Sequence, residues 1–271
     1  MIIFIGLMIG MFFLILIGCS IAISNFDKNV EVLFMQSNEI QGDIPMLKQS
    51  DNLPEPVYRY FLHVLNVPQP YLSYVRLRHF GKFKTSVNAQ WSNINGEEYF
   101  TVANPGFIWK GKTRMFMAID SFVEGKGSLK VFFLSAFRIV HGSGKKFTQG
   151  ELLRWLGESV WFPTALLPGD SLRWEPIDDN HAKLLFNHNN VEVYYIVTFN
   201  ENHEIMMLET RRYMDGKKLQ TWIGKLSDYE IRNGVLIPTT MEAIWKVDGQ
   251  EFSYAVFNLN QIEYNKPEKF K

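Results

Sequence analysis

Short turn signals recur at close intervals along this chain, and they limit its fold more than any other feature. In the closing third, Asp215-Gly216, Asn233-Gly234 and Asp248-Gly249 each separate two runs of alternating apolar and polar residues. Asn-Gly and Asp-Gly supply the positive φ angles of tight hairpin turns. Asp178-Asp179-Asn180, His188-Asn189-Asn190 and Asn200-Glu201-Asn202 punctuate the same region. The pattern predicts strands over 171–177, 182–187, 191–200, 205–213, 219–232, 235–246 and 251–264. Earlier strands are expected over 75–83, 98–103, 106–115, 118–124 and 129–134. Turns at Asn95-Gly96, Asn104-Pro105-Gly106 and Glu124-Gly125-Lys126-Gly127 set them apart. Hairpin connections join antiparallel neighbours. The fold class expected is therefore mainly β, of the α+β kind. It is a large curved antiparallel sheet or half-closed β-barrel with covering helices, preceded by one transmembrane helix.

Two helical patterns interrupt the strands. Near 54–66, Val57, Tyr60, Phe61, Val64 and Leu65 make one apolar face, opened by Pro54 and Pro56 and stopped by Pro68 and Pro70. Near 148–162, Thr148 and Glu151 have the spacing of a capping box, and Pro163 closes the run. Leu152 and Leu156 share one side of that helix, while Glu151, Arg154 and Glu158 share the other.

Residues 1–26 carry no charged side chain, and the run to Ile23 is almost wholly apolar. At 1.5 Å per residue such a run reaches about 30 Å, the thickness of a bilayer core. Three readings fit: an uncleaved anchor helix, a lipoprotein signal and a cleaved secretory peptide. Leu16-Ile17-Gly18-Cys19 has the form of a lipobox, which makes Cys19 a candidate lipidation site. No Lys or Arg precedes the run, and Ile21-Ala22-Ile23 keeps it apolar past the cysteine; both favour the anchor. Residues 27–52, read as a polar linker, hold two lysines against five acids. So few positive charges predict that the folded part, residues 53–271, faces away from the cytoplasm. The chain is then a single-pass protein of the cell membrane.

Lys and Arg total 28, and Asp and Glu total 28, so the net charge is zero. This balance offers no electrostatic drive toward nucleic acid. One cysteine excludes an internal disulfide and any multi-cysteine metal site. The six histidines form no HExxH or HxH pair, and no GxSxG elbow, P-loop or dinucleotide-binding glycine pattern is present. Gly142-Ser143-Gly144-Lys145-Lys146 lacks the spacing of a phosphate loop and reads as a flexible turn. The sequence thus calls for no metal and no cofactor. One polar constellation stands out: the i, i+4 and i, i+3 spacings let Arg154 bridge Glu158 and Glu151. On a solvated face this is an ordinary ion-pair stripe. Turned toward the sheet, Arg154 would meet a ligand headgroup, with Trp155, Trp161 and Phe162 lining or lidding an apolar space. Core packing is the alternative role for those rings.

The segments Leu53-Pro54-Glu55-Pro56-Val57-x-Arg59-Tyr60 and Gly150-Glu151-Leu152-Leu153-Arg154-Trp155-Leu156-x-Glu158-x-x-Trp161-Phe162-Pro163-Thr164-Ala165-Leu166-Leu167-Pro168 resemble a family of bacterial membrane-anchored proteins of unknown function, over about residues 53–262. More loosely, the pattern around Tyr229, Gly234, Ile237-Pro238 and the final strand is similar to the periplasmic lipoprotein-carrier half-barrels. That second resemblance implies a concave apolar face holding acyl chains. The leading expectation is a membrane-tethered binding domain for an apolar or amphipathic ligand, a lipid or acyl chain. The alternatives are a structural partner in an envelope complex and an enzyme using Glu151 or Glu158 as general base.

Overall fold

The computed structural model describes residues 2–46, 53–65, 68–214 and 216–271; within the first helix, the side chains of residues 2, 3 and 5–9 are not described. Met1, the last six residues of the expected linker (47–52), Asn66 at the end of the first expected helix and Asp215 of one expected turn lie outside the described residues. Thirteen strands form one antiparallel sheet. They are β1 (Tyr74–Phe83), β2 (Ser92–Thr101), β3 (Gly106–Lys112), β4 (Phe116–Val123), β5 (Lys126–Phe133), β6 (Phe137–Ser143), β7 (Leu172–Pro176), β8 (His181–His188), β9 (Val191–Phe199), β10 (Ile205–Met214), β11 (Lys218–Arg232), β12 (Val235–Val247) and β13 (Gln250–Tyr264). Their order across the sheet is β6-β5-β4-β3-β2-β1-β13-β12-β11-β10-β9-β8-β7. Each half is a meander, and the first strand pairs with the last to join them.

Helix α1 spans Ile2–Met35, α2 spans Glu55–Val64 and α3 spans Lys145–Glu158. The single turns Ser159–Trp161 and Pro163–Leu166 follow α3, in 3-10 conformation. α2 buries Val57, Tyr60, Phe61 and Val64, the face expected from its periodicity. α3 connects β6 to β7, the two free edges of the sheet, and packs against both β5 and β10. These strands lie eight spacings apart in the order, about 38 Å in a flat sheet at ~4.8 Å per strand. A helix about 10 Å wide touches both only if the sheet curls around it. The curl brings the β4–β5 and β8–β9 turns together: the ring of Phe122 meets that of His188 at 5.8 Å.

The concave side of this sheet holds one continuous core with α2, α3 and the 3-10 turns. A second, smaller core lies on the opposite face. There Ala22, Phe26, Val30, Leu33 and Phe34 of α1 cover Tyr74, Tyr99, Ile108, Met117 and Ile119. Alternation along β3 serves both cores: Phe107 and Trp109 face inward, and Ile108 faces α1.

Four local expectations change. Asn95-Gly96 is not a turn but lies inside β2, where Gly96 pairs with His79. The imidazole of His79 fills the space a Cβ at Gly96 would take, so the glycine serves a close approach and not a bend. β6 was not anticipated, and Gly142 and Ser143 end it instead of forming a flexible turn. α3 starts at Lys145 behind Gly144, whose φ of 97° suits glycine alone. Thr148 is therefore inside the helix, and its hydroxyl accepts the Gly127 N–H at 3.1 Å. Finally, α1 continues to Met35, so the first part of the segment read as linker is helical and packed.

Candidate functional site

A buried ionic network lies between α3 and the concave face of the sheet. Register places Leu77, Glu98, Trp109 and Asp120 in one row across β1, β2, β3 and β4. Glu98 is in phase with Phe100, and Trp109 with Phe107, so these acids point into the apolar core. Arg154 reaches down from α3 and satisfies three carboxylates at once. Its Nε donates to Glu158 at 3.0 and 3.1 Å, one Nη to Asp120 at 2.7 Å and the other to Glu98 at 2.9 Å. The guanidinium also lies over the rings of Trp109 and Phe107, at 4.7 and 5.0 Å. Arg212 from β10 adds a second cation, 3.7 Å from Glu151. Gly150 leaves room for it to lie across the helix.

The network holds two guanidiniums and four carboxyls, Glu98, Asp120, Glu151 and Glu158. Fully ionised it would carry two surplus negative charges beneath a helix, at a cost of several kcal/mol per ion. Protons relieve that surplus. Burial pushes Glu98 well above the usual carboxylate range, against the pull of Arg154 and with help from Glu158 and Asp120. Burial, reinforced by Asp120, pushes Glu151 to about 8. Burial also raises Glu158 and Asp120. Glu98 Oε2 finds no donor in reach. A proton on Glu98, donated to the neighbouring Glu158 carboxylate, gives that oxygen a hydrogen bond. Asp120 Oδ1 and Glu151 Oε2 are likewise buried without a partner.

His79 extends the network along β1. Its Nε2 accepts the Trp109 indole N–H at 2.8 Å, so the ring is neutral with its proton on Nδ1. Burial first, and then Arg154, hold its pKa down to about 3. Phe257 packs on the ring at 4.3 Å.

The structure turns Glu151, Arg154 and Glu158 toward the sheet, but only the i, i+4 half of the expected bridge forms: Arg154 pairs with Glu158, while Glu151 pairs with Arg212 from β10. Trp155, Trp161 and Phe162 are fully buried. Trp155 Nε1 donates to the Thr101 carbonyl at 3.0 Å and Trp161 Nε1 to the Pro238 carbonyl at 3.0 Å, tying α3 to the first half of the sheet and the 3-10 turn after it to the second. Glu98, Asp120, Arg212 and His79 were not singled out from the sequence. The signal for the acids was present: Glu98 shares its strand phase with Phe100, and Asp120 shares its phase with Phe122. Among the described residues no group of three or more His, Cys, Asp or Glu has the arrangement of a metal site. Cys19 is half-buried on α1, facing a groove of about 650 Å³ that Asp27, Glu31 and Lys269 also line.

Residues 44–257 match DUF6544, a family of unknown function. The chain belongs to that family. No curated protein matches it. Among solved structures, it is similar to a LolA superfamily protein from Nitrosomonas europaea at 13% identity, covering 78% of this chain and 92% of that one, with a TM-score of 0.44. It is also similar to a DUF1329 family protein from Desulfovibrio piger at 10% identity, covering 78% and 94%, with a TM-score of 0.34. The DUF6544 segment contains α2, α3, the whole ionic network and every strand up to Phe257 in β13. The whole of α1 lies outside it. α1 is long and apolar enough to cross a membrane.

Proposed function

We propose that this DUF6544 chain is a membrane-tethered binding domain whose β concavity takes an apolar or amphipathic ligand, a lipid or acyl chain, when α3 withdraws. The observation that carries this reading is the way the concavity is closed. One helix and the turns after it fill the space with Trp155, Trp161 and Phe162. The polar side of that helix is held by an ionic network with orphaned acceptors. Apolar side chains in place of such a network would hold the helix at least as firmly, because a buried ion pair gains little over its desolvation cost. A charged clasp suits a segment that must leave its seat. Glu151, Arg154 and Glu158 are the clasp, and the three aromatic residues occupy the ligand's place until it enters. With α1 across the bilayer, the domain sits at the membrane surface, on the side away from the cytoplasm, where acyl chains are available.

Native mass spectrometry of the full chain, extracted in mild detergent, tests the reading together with uptake of a fluorescent fatty acid. Co-purifying lipid, or saturable uptake that Arg154→Ala alters, supports it. A chain recovered free of lipid that takes up no fatty acid at any detergent level refutes it. The enzymatic alternative makes Glu151 or Glu158 the general base, yet both carboxyls are buried between α3 and the sheet, so it too requires the helix to move.

A further inference from the structure

The end of the β5–β6 hairpin carries an apolar surface that neither core accounts for. Met115, Phe116, Leu134, Phe137, Ile139 and Val140 are all exposed, the last three on the edge strand β6. The turns that carry them are tied together: the Leu134 N–H donates to the Met115 carbonyl at 2.7 Å, and Phe116 packs on Phe133 at 5.6 Å. Leu134 and Ser135 have φ angles of 50° and 59°, a conformation that most of the other turns give to Asn, Asp or Gly, and Leu134 is the one large apolar residue in it among the described residues. A leucine there costs on the order of 1 kcal/mol and projects its side chain outward. A strand edge this apolar is an aggregation hazard in water.

Two further facts identify what covers it. First, the turn abuts α1 inside the apolar run. A Cβ at Gly18 would stand 2.9 Å from the Cβ of Ala136. Counting about 20 apolar residues, 2–21, as the ~30 Å span, Gly18 lies roughly 5 Å inside its boundary. Second, residues 112–116 and 133–141 contain Lys112, Arg114 and Arg138 and no acid. Large apolar side chains flanked by long cationic ones match the interfacial layer of a bilayer with anionic headgroups.

We propose that the β3–β4 turn, the β5–β6 turn and the edge of β6 form a second membrane contact, dipping into the headgroup–acyl boundary of the bilayer that α1 crosses. Lys112, Arg114 and Arg138 lie at the phosphates. This rests on α1 being a membrane span. The contact fixes the tilt of the domain as well as its attachment, so the mouth of the sheet keeps one orientation to the lipid.

The full chain carrying Cys19→Ser and a single new cysteine, Leu134→Cys or Ile139→Cys, is labelled with a polarity-sensitive fluorophore. It is reconstituted in vesicles of phosphatidylcholine and phosphatidylglycerol containing a shallow nitroxide lipid. Lys126→Cys, at the far end of β5 and roughly 25 Å away, is the control. The expected result is quenching at both test positions about threefold or more above the control, as side chains buried in the interface give. Quenching equal to the control at both positions, in chain that resists alkaline carbonate, overturns this contact and leaves the anchor standing. Release by carbonate overturns both. A probe shielded from aqueous iodide yet unquenched by the nitroxide lipid also overturns it, and assigns the patch to a protein partner.

Discussion

Arg154 is the residue on which the candidate site turns, because it alone answers three buried carboxylates. Arg154→Ala strands Glu98, Asp120 and Glu158 together, and a loss of about 3–5 kcal/mol is expected in urea denaturation. Glu98→Gln should cost under ~1 kcal/mol by the same measurement, since the amide keeps the donor that a protonated Glu98 already supplies. Equal losses for the two variants would show Glu98 to be ionised. Glu151 gives the network a pH dependence whose sign can be worked out. Its ordinary value of 4.5 rises to about 8 in the fold. Between those values the folded chain holds a proton that the unfolded chain has released, so stability falls as pH rises toward 8. His79 opposes this below 6.5, since its pKa falls from 6.5 to about 3 and acid favours its unfolded form. The window from pH 6.5 to 8 therefore isolates the carboxyls. Denaturation midpoints should drop across it, and Glu151→Gln should flatten the slope; a slope that survives Glu151→Gln assigns the proton to another acid.

At the scale of elements, the closing strands are legible almost to the residue, because alternation and Asn-Gly or Asp-Gly turns are local signals, whereas β2 begins six residues before its expected start and β3 ends three residues short. β11, β12 and β13 differ from their expected bounds by one residue at most at either end. Failures came where a local signal was used for a distant purpose. Gly96 follows an asparagine, as in a hairpin, yet answers the ring of His79 on the next strand. β6 is an edge strand with an almost wholly exposed pattern, so no alternation marks it. The helical stripe Ala22, Phe26, Val30 and Leu33 has spacings of four, four and three, and it was hidden by the change from an apolar run to a charged one at Asp27. In the site, the Arg154–Glu158 pair on α3 is legible from i, i+4 spacing, whereas Glu98, Asp120 and Arg212, on β2, β4 and β10, come from across the sheet. The second half of α1 is docked on the sheet, and Phe26, in contact with Tyr99 and Lys110, lies in that packing. Phe26→Ala removes about 3–5 kcal/mol of packing. Trypsin cleavage after the exposed Lys28 in vesicle-bound chain should then quicken by about tenfold or more, as undocking becomes accessible. An unchanged rate would mean that the helix is held by its other contacts alone.

At the scale of the molecule, the fold is a strip of thirteen strands curled until its lips meet over a helix. The β1–β13 seam makes the curl one continuous sheet, so the lips formed by the β4–β5 and β8–β9 turns are where it can part without breaking backbone pairing. Gly125 and Asn189 face each other across that gap. A Cβ at Gly125 stands 3.8 Å from the Cβ of Asn189, the mean separation in a disulfide. The pair Gly125→Cys and Asn189→Cys, with Cys19→Ser to leave no third thiol, should close the lips on oxidation. If a ligand enters by the parting of the sheet as α3 lifts, fatty-acid uptake stops in the oxidised chain and returns on reduction. Uptake that is the same in both states places the entrance elsewhere and requires α3 to slide out with the lips shut. The two routes also differ in what the clasp must release. Parting the lips pulls Asp120 on β4 and Arg212 on β10 to opposite sides of the gap, with Arg154 and Glu151 left between them. Arg212→Ala should then speed uptake when the lips can open and have no effect on it once they are locked.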